Sequence, residues 1–194
     1  AINSLKSGRR FRIWSAGCSN GQEPYSIALS ALQANPDISG TDFKILATDI
    51  DPKVVRFAAE GRYPSRLTKG IPQQLLSQYF EKSPEQNEDI YIARPQLKSL
   101  IVFKELNLLS SWPIGGAFDV IFCRNVVIYF DTAMQNKLWP RFNEVLSNDG
   151  RLFLGHSERI PYAVYFGFRS VGPTASQNAT SQHSLPHKGN YNVP

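Results

Sequence analysis

Only two of the 194 residues are cysteine. Neither Cys18 nor Cys123 has a second Cys or a His at metal-ligand spacing, so neither a structural zinc site nor another metal is expected. Each closes an apolar run, where a buried reduced thiol is expected rather than a disulfide. No apolar run reaches about 18 residues, the length a membrane-spanning helix needs. Residues 1–12 are polar and basic and lack the apolar core of a signal peptide. The reading is a cytoplasmic protein that is not membrane-embedded. No five like charges occur in a row, so a polybasic arm is absent. The dinucleotide fingerprint GxGxxG is absent too, and internal repeats are not visible.

The rest of the composition describes a packed α/β domain: 42% of residues are apolar and 12% aromatic, too many for a disordered chain. The formal charge of +5 permits an acidic partner or simply reflects a solvated Lys/Arg excess. Residues 11–18, FRIWSAGC, form a strand-like run. The small and polar residues SNGQEP follow, and then a helical stripe of Tyr25, Ile27, Ala28, Leu29, Ala31 and Leu32, with Pro24 in its first turn. Residues 43–50, FKILATDI, predict a second strand. Asp51-Pro52 predicts a helix start with Asp51 as cap. Residues 62–104 break the alternation. They hold a short helix near residues 72–80, the polar stretch SPEQNED and two β segments, IYIARP and SLIVFKEL, read together as a small antiparallel insertion. Strand FDVIFCRNV, a helix from Thr132 capped by Asp131, an Asn148-Asp149-Gly150 turn and strand GRLFLGH complete the pattern. The whole predicts a doubly wound, mostly parallel sheet, with one domain over residues 1–172 and a disordered tail over 173–194.

In such a sheet ligands bind beyond the carboxyl ends of the strands, where the chain order reverses. Four loops fall there. In SAGCSNGQEPYS, small residues allow close backbone approach, and a helix N-terminus follows; a tight turn without a ligand is the alternative. Glu23 either adds a favourable first-turn charge or accepts hydrogen bonds from a cationic or hydroxylated ligand. Asp49, ending the second strand, suits a ribose diol. Asn107 can donate and accept, as an adenine edge requires, or can be a plain turn residue. Arg124 after the strand FDVIFC can hold a carboxylate by charge-assisted hydrogen bonds, with Tyr129 lining the slot. A surface ion pair for Arg124 and a core position for Tyr129 are the alternatives.

The motifs WSAGCSNGQEPYSIA, ATDID, NLL, CRNVVIYF and GHSE, in this order, resemble the CheR-type chemotaxis receptor methyltransferases over about residues 11–157. The resemblance implies a class I S-adenosylmethionine-dependent methyltransferase fold, Rossmann-like, with a small antiparallel β-subdomain. It implies S-adenosylmethionine as methyl donor, S-adenosylhomocysteine as product, and as partner the cytoplasmic domain of a methyl-accepting chemotaxis receptor, whose glutamate γ-carboxylates become methyl esters. Matching motifs make Ala16, Glu23, Asp49, Asn107, Leu108, Arg124 and Asn125 the expected cofactor contacts. Arg124 and Tyr129 are the expected catalytic residues facing the acceptor. Such a carboxylate is already ionised at neutral pH and needs no general base, so His156 in GHSE is read as structural.

The family carries a small helical domain ahead of the Trp14 motif, and the residues before Trp14 are too few to hold it. After Ser170-Val171-Gly172-Pro173-Thr174 the sequence departs from the family at Ala175-Ser176-Gln177, so an incomplete last strand is expected. Some members grip a receptor tether peptide through a glycine-containing loop in the β-subdomain. Residues 81–90 contain no glycine, and the expectation is a tether-independent monomer. A non-catalytic module binding S-adenosylmethionine or S-adenosylhomocysteine is the alternative function. A nucleic-acid methyltransferase is disfavoured, because RNVVIY stands where a [DN]PPY motif would be, and no nucleic-acid partner is expected.

Overall fold

The computed structural model describes residues 5, 8–84 and 88–179. Strand β1 (Phe11–Ala16) runs through the middle of a seven-stranded sheet and alternates between two cores. Ile13 joins one apolar cluster and Trp14 the other. A strand covered on both faces reads as a near-continuous apolar run, which is why FRIWSA is so legible. Beside it lie β2 (Phe43–Asp49), then β6 (Ile101–Glu105), and on the other flank β7 (Phe118–Cys123) and β8 (Leu146–Leu154). These five pair in parallel. The chain works outward from β1 through β2 to β6, then returns to β7 on the opposite side. The reversal puts a switch point at the carboxyl ends of β1 and β7.

Helix α1 (Gln22–Ala34) packs its buried face, Tyr25, Ala28, Leu29 and Leu32, on one side of the sheet. Helix α2 (Pro52–Glu60) begins as its sequence predicts, with the Asp51 carboxylate accepting from the Lys53 N–H at 2.8 Å and Pro52 in the first turn. Helix α6 (Thr132–Val145) is capped by Asp131, which accepts from the Met134 N–H at 2.7 Å. It carries Pro140 in its interior and is held by the buried Leu138, Trp139 and Phe142. Trp14 sits at the centre of that second core, its Nε1 donating to Thr48 Oγ1 at 2.8 Å and its ring edge-on to Trp112 and Phe142.

The insertion differs from its expected composition. Strands β3 (Arg62–Pro64), β4 (Phe80–Pro84) and β5 (Asp89–Ala93) form a separate antiparallel sheet in the order β3-β5-β4, with α3 (Ser65–Thr68) and α4 (Gln73–Tyr79) between β3 and β4. IYIA is therefore the centre of that sheet, whereas SLIVFKEL is not part of it. Its core is β6, paired with β2 from Ile45↔Ile101 to Asp49↔Glu105. The one-turn helix α5 (Pro95–Lys98), with Leu97 and Leu100 fully buried, carries the chain from one sheet to the other.

Two further corrections concern the C-terminal half. The Asn148-Asp149-Gly150 segment lies within β8 as an irregularity, between the pairs Phe118↔Leu146 and Val120↔Arg151. The expected disordered tail does not begin at residue 173. Strand β9 (Phe168–Gly172) turns into β10 (Ala175–Asn178), which inserts antiparallel between β8 and β9. The last strand is formed, because Leu154 N donates to Thr174 O at 2.9 Å and Asn178 is buried with its Nδ2 on Leu146 O at 3.1 Å. The part of the expected tail from residue 180 on lies outside the described residues.

Candidate active site

The loops after β1, β2 and β7 meet at the switch point, and the loop after β6 adjoins the end of β2. The loop after β1 curls back over the end of β2, with the N–H groups of Gly17 and Cys18 both donating to Thr48 O at 2.8 Å. The loop after β6 ties to the same strand end through Leu106 N and Asp49 O at 2.9 Å. The loop after β7 touches the first one at Gly17, where φ is +83° and a Cβ would lie 2.4 Å from Val126 Cγ2. Only glycine satisfies both that backbone angle and that contact. From the insertion, the Tyr63 hydroxyl donates to Asn20 O at 2.7 Å, so β3 supports the first loop from outside.

Glu23, in the first turn of α1, lies between two partners. Its Oε1 accepts from Ser15 Oγ at 2.8 Å and its Oε2 from Arg124 Nη1 at 3.3 Å. The Arg124 and Glu23 side chains are 42% and 23% exposed, and a pair this open adds only about 0–1 kcal/mol to stability. Its effect is to orient both groups. Arg124 is thus in an ion pair, but with the site's own carboxylate.

Asp49 receives the Ser19 N–H on Oδ2 at 2.7 Å and the Asp51 N–H on Oδ1 at 3.2 Å. Each oxygen keeps a lone pair, an arrangement that matches two vicinal hydroxyls. Asn107 is exposed, with Oδ1 closing a turn onto Leu109 N at 2.9 Å, which leaves its amide N–H groups to donate. Leu108 is buried, and its carbonyl is taken by Trp112 Nε1 at 3.1 Å and Arg141 Nη1 at 2.6 Å. Ala16 is also buried, at the end of β1. Tyr129 is 80% exposed at the rim, which rules out the core alternative, and His156 is exposed.

Both thiols are buried. Burial pushes Cys18 up to about 12, with Asp49 and then Glu23 adding to it. Cys123 is raised well above the usual thiol range by burial, then by the negative charges of Glu158 and Glu23. Both cysteines are free. S-adenosylmethionine carries a sulfonium and an ammonium, and the residues present fit it on two counts: the Glu23 carboxylate beside Ser15 and the open acceptors of Asp49.

Glu158, in the GHSE motif beside His156, is given no role by the sequence reading. It is buried and accepts from the backbone N–H groups of Asn125, Val126, Val127 and Gly155. The available signal is a Glu three residues after a Gly that directly follows a strand.

This fold and site define a class I S-adenosylmethionine-dependent methyltransferase domain. The family model described as "CheR methyltransferase, SAM binding domain" matches residues 1–174, and the chain belongs to that family. It is 45% identical over 179 residues to a probable chemotaxis protein methyltransferase of Rhizobium etli, covering 92% of this chain and 67% of that protein. It is 39% identical to chemotaxis protein methyltransferase 2 of Pseudomonas aeruginosa, covering 90% of this chain and 62% of the relative. Identity to the Escherichia coli chemotaxis protein methyltransferase is also 39%, covering 84% and 57%. The chain thus spans between 57% and 67% of the length of these relatives. Among solved structures, a TehB-like SAM-dependent methyltransferase of Corynebacterium glutamicum is similar at 14% identity, over 91% of this chain and 90% of that one, with a TM-score of 0.48.

Proposed function

We propose that the chain transfers a methyl group from S-adenosylmethionine to glutamate γ-carboxylates in the cytoplasmic domain of a chemotaxis receptor, forming methyl esters. The observation that carries this reading is the convergence of Glu23, Asp49 and Arg124 at the switch point, in a chain of this family. The names of the relatives support the chemotaxis assignment. Bound S-adenosylmethionine would supply an electrophilic methyl group on a positively charged sulfur. Asp49 would accept from the ribose hydroxyls, and Glu23 would accept from the ligand's cationic end. Asn107, Leu108, Ala16 and Asn125 would bound the nucleoside with side-chain amides and backbone groups.

Arg124 would hold the acceptor. One guanidinium N–H is engaged with Glu23, and the rest of the fork can take a carboxylate in a charge-assisted pair. Tyr129, at the rim, would border the acceptor slot. The acceptor carboxylate, with an ordinary pKa of about 4.3, is ionised at neutral pH and is itself the nucleophile. Alignment and electrostatics then supply the acceleration. Among the described residues no helix is long and apolar enough to cross a membrane. We place the protein in the cytoplasm as a monomer acting on its receptor without a tether peptide.

The test is radiolabelled methyl transfer to receptor-containing membranes, with release of label by base. Base-labile label is expected. Arg124→Lys keeps the charge but loses the planar fork, and should cut transfer on the order of tenfold or more with S-adenosylhomocysteine binding retained. Absence of base-labile label in the unmodified protein overturns the reading. A wild-type rate in Arg124→Lys removes Arg124 from the acceptor site.

A further inference from the structure

Glu158 is 3% exposed, at the end of the turn that follows β8. Its Oε1 accepts from Val126 N at 2.9 Å and Val127 N at 3.0 Å; its Oε2 accepts from Asn125 N at 2.8 Å and Gly155 N at 2.6 Å. One carboxylate therefore spends all of its lone-pair sites on backbone donors. Three of those donors are consecutive and belong to the loop between Arg124 and Tyr129. Successive N–H groups aimed at one point make an anion-binding concavity, and here the protein fills it with its own side chain.

Asn125 has φ +58°, a left-handed conformation that asparagine adopts more readily than other non-glycine residues, and its N–H is held by Glu158. A Cβ at Gly155 would lie 2.6 Å from Glu158 Oε2 and 3.1 Å from Asn125 N. Glu158 thus joins the ends of two adjacent parallel strands and fixes the backbone from which Arg124 and Tyr129 project. We infer that Glu158 is the positioning residue of the acceptor site: it touches neither donor nor acceptor, and acts by setting where the Arg124 guanidinium stands. The inference rests on the methyl-transfer reading above.

Glu158→Gln keeps the size of the side chain. It halves the acceptor oxygens and turns an NH2 group toward backbone donors. Glu158→Asp keeps charge and acceptors but withdraws them by one methylene, and it serves where the glutamine variant does not fold. Three measurements are made on each folded variant: amide resonances of Asn125, Val126, Val127 and Gly155; S-adenosylhomocysteine affinity; and methyl transfer at saturating donor. The expected result is that those amide signals shift together, affinity stays within about threefold, and transfer falls about tenfold or more, as an ångström of misplacement implies. A folded variant of either kind with wild-type transfer overturns the inference. So does a loss of transfer matched by an equal loss of S-adenosylhomocysteine affinity, since that is the mark of general damage. If the unmodified protein transfers no methyl group, the functional reading fails, while the amide signals still report whether Glu158 sets the loop.

Discussion

Asp49 spends half of its acceptor capacity on the protein itself. The Ser19 and Asp51 N–H groups fix the carboxylate, and only then does one lone pair on each oxygen remain for a ligand. This preorganisation lets a partly exposed carboxylate bind a diol without a further ordering cost. Replacing Asp49 with Ala should weaken S-adenosylhomocysteine binding by roughly 1–3 kcal/mol, the range for removing hydrogen bonds to a charged group. Calorimetry measures it, with circular dichroism to confirm the fold. Unchanged affinity would refute the ribose assignment. The placement of Asp49, Glu23 and Arg124 at strand ends or a helix start was legible in the sequence, because the fold type sets its candidate ligand loops there. Glu158 was not, because its role depends on backbone N–H directions in a loop about 30 residues away, and no side-chain pattern encodes those.

At the scale of elements, alternation of apolar and polar residues identifies a strand but not its partner. SLIVFKEL and IYIARP look alike, yet β6 joins the main sheet and β5 the small one. The decision lies in α5, whose buried Leu97 anchors the connection. Helix starts were more legible, since Asp51-Pro52 and Asp131 carry their caps in sequence. Lys82 pairs with Asp89 at 2.7 Å, and Glu88 accepts from Ser65 Oγ and Arg66 N while pairing with the Arg66 guanidinium. The first pair joins the two flanks of a glycine-free hairpin, and the second ties one flank to α3. A peptide adding to that hairpin would meet committed charges, so a receptor C-terminal pentapeptide should bind no better than its scrambled version. A micromolar isotherm for the native peptide, with the scrambled control silent, would show that the hairpin is a tether site.

At the scale of the whole molecule, the parallel strands are completed by one antiparallel strand that sequence patterning did not reveal. ASQN has no apolar alternation, because β10 earns its place through backbone pairing on both sides: Ala175–Gln177 against β8 and Ala175–Asn178 against β9. Stopping the chain after Gly172 would remove that strand and leave β9 with no neighbour in the sheet order. Phe168, fully buried among Leu138, Trp139 and Phe142, would lose its support. Losing a buried phenylalanine's packing alone costs about 3–5 kcal/mol, against a total stability of roughly 5–15 kcal/mol for a domain. The shortened chain should therefore show a much lower Tm than the 194-residue chain in thermal circular dichroism. Apparent S-adenosylhomocysteine binding should weaken with it, since only the folded chain binds and its population falls. An unchanged Tm would mean that β10 covers the sheet without stabilising it.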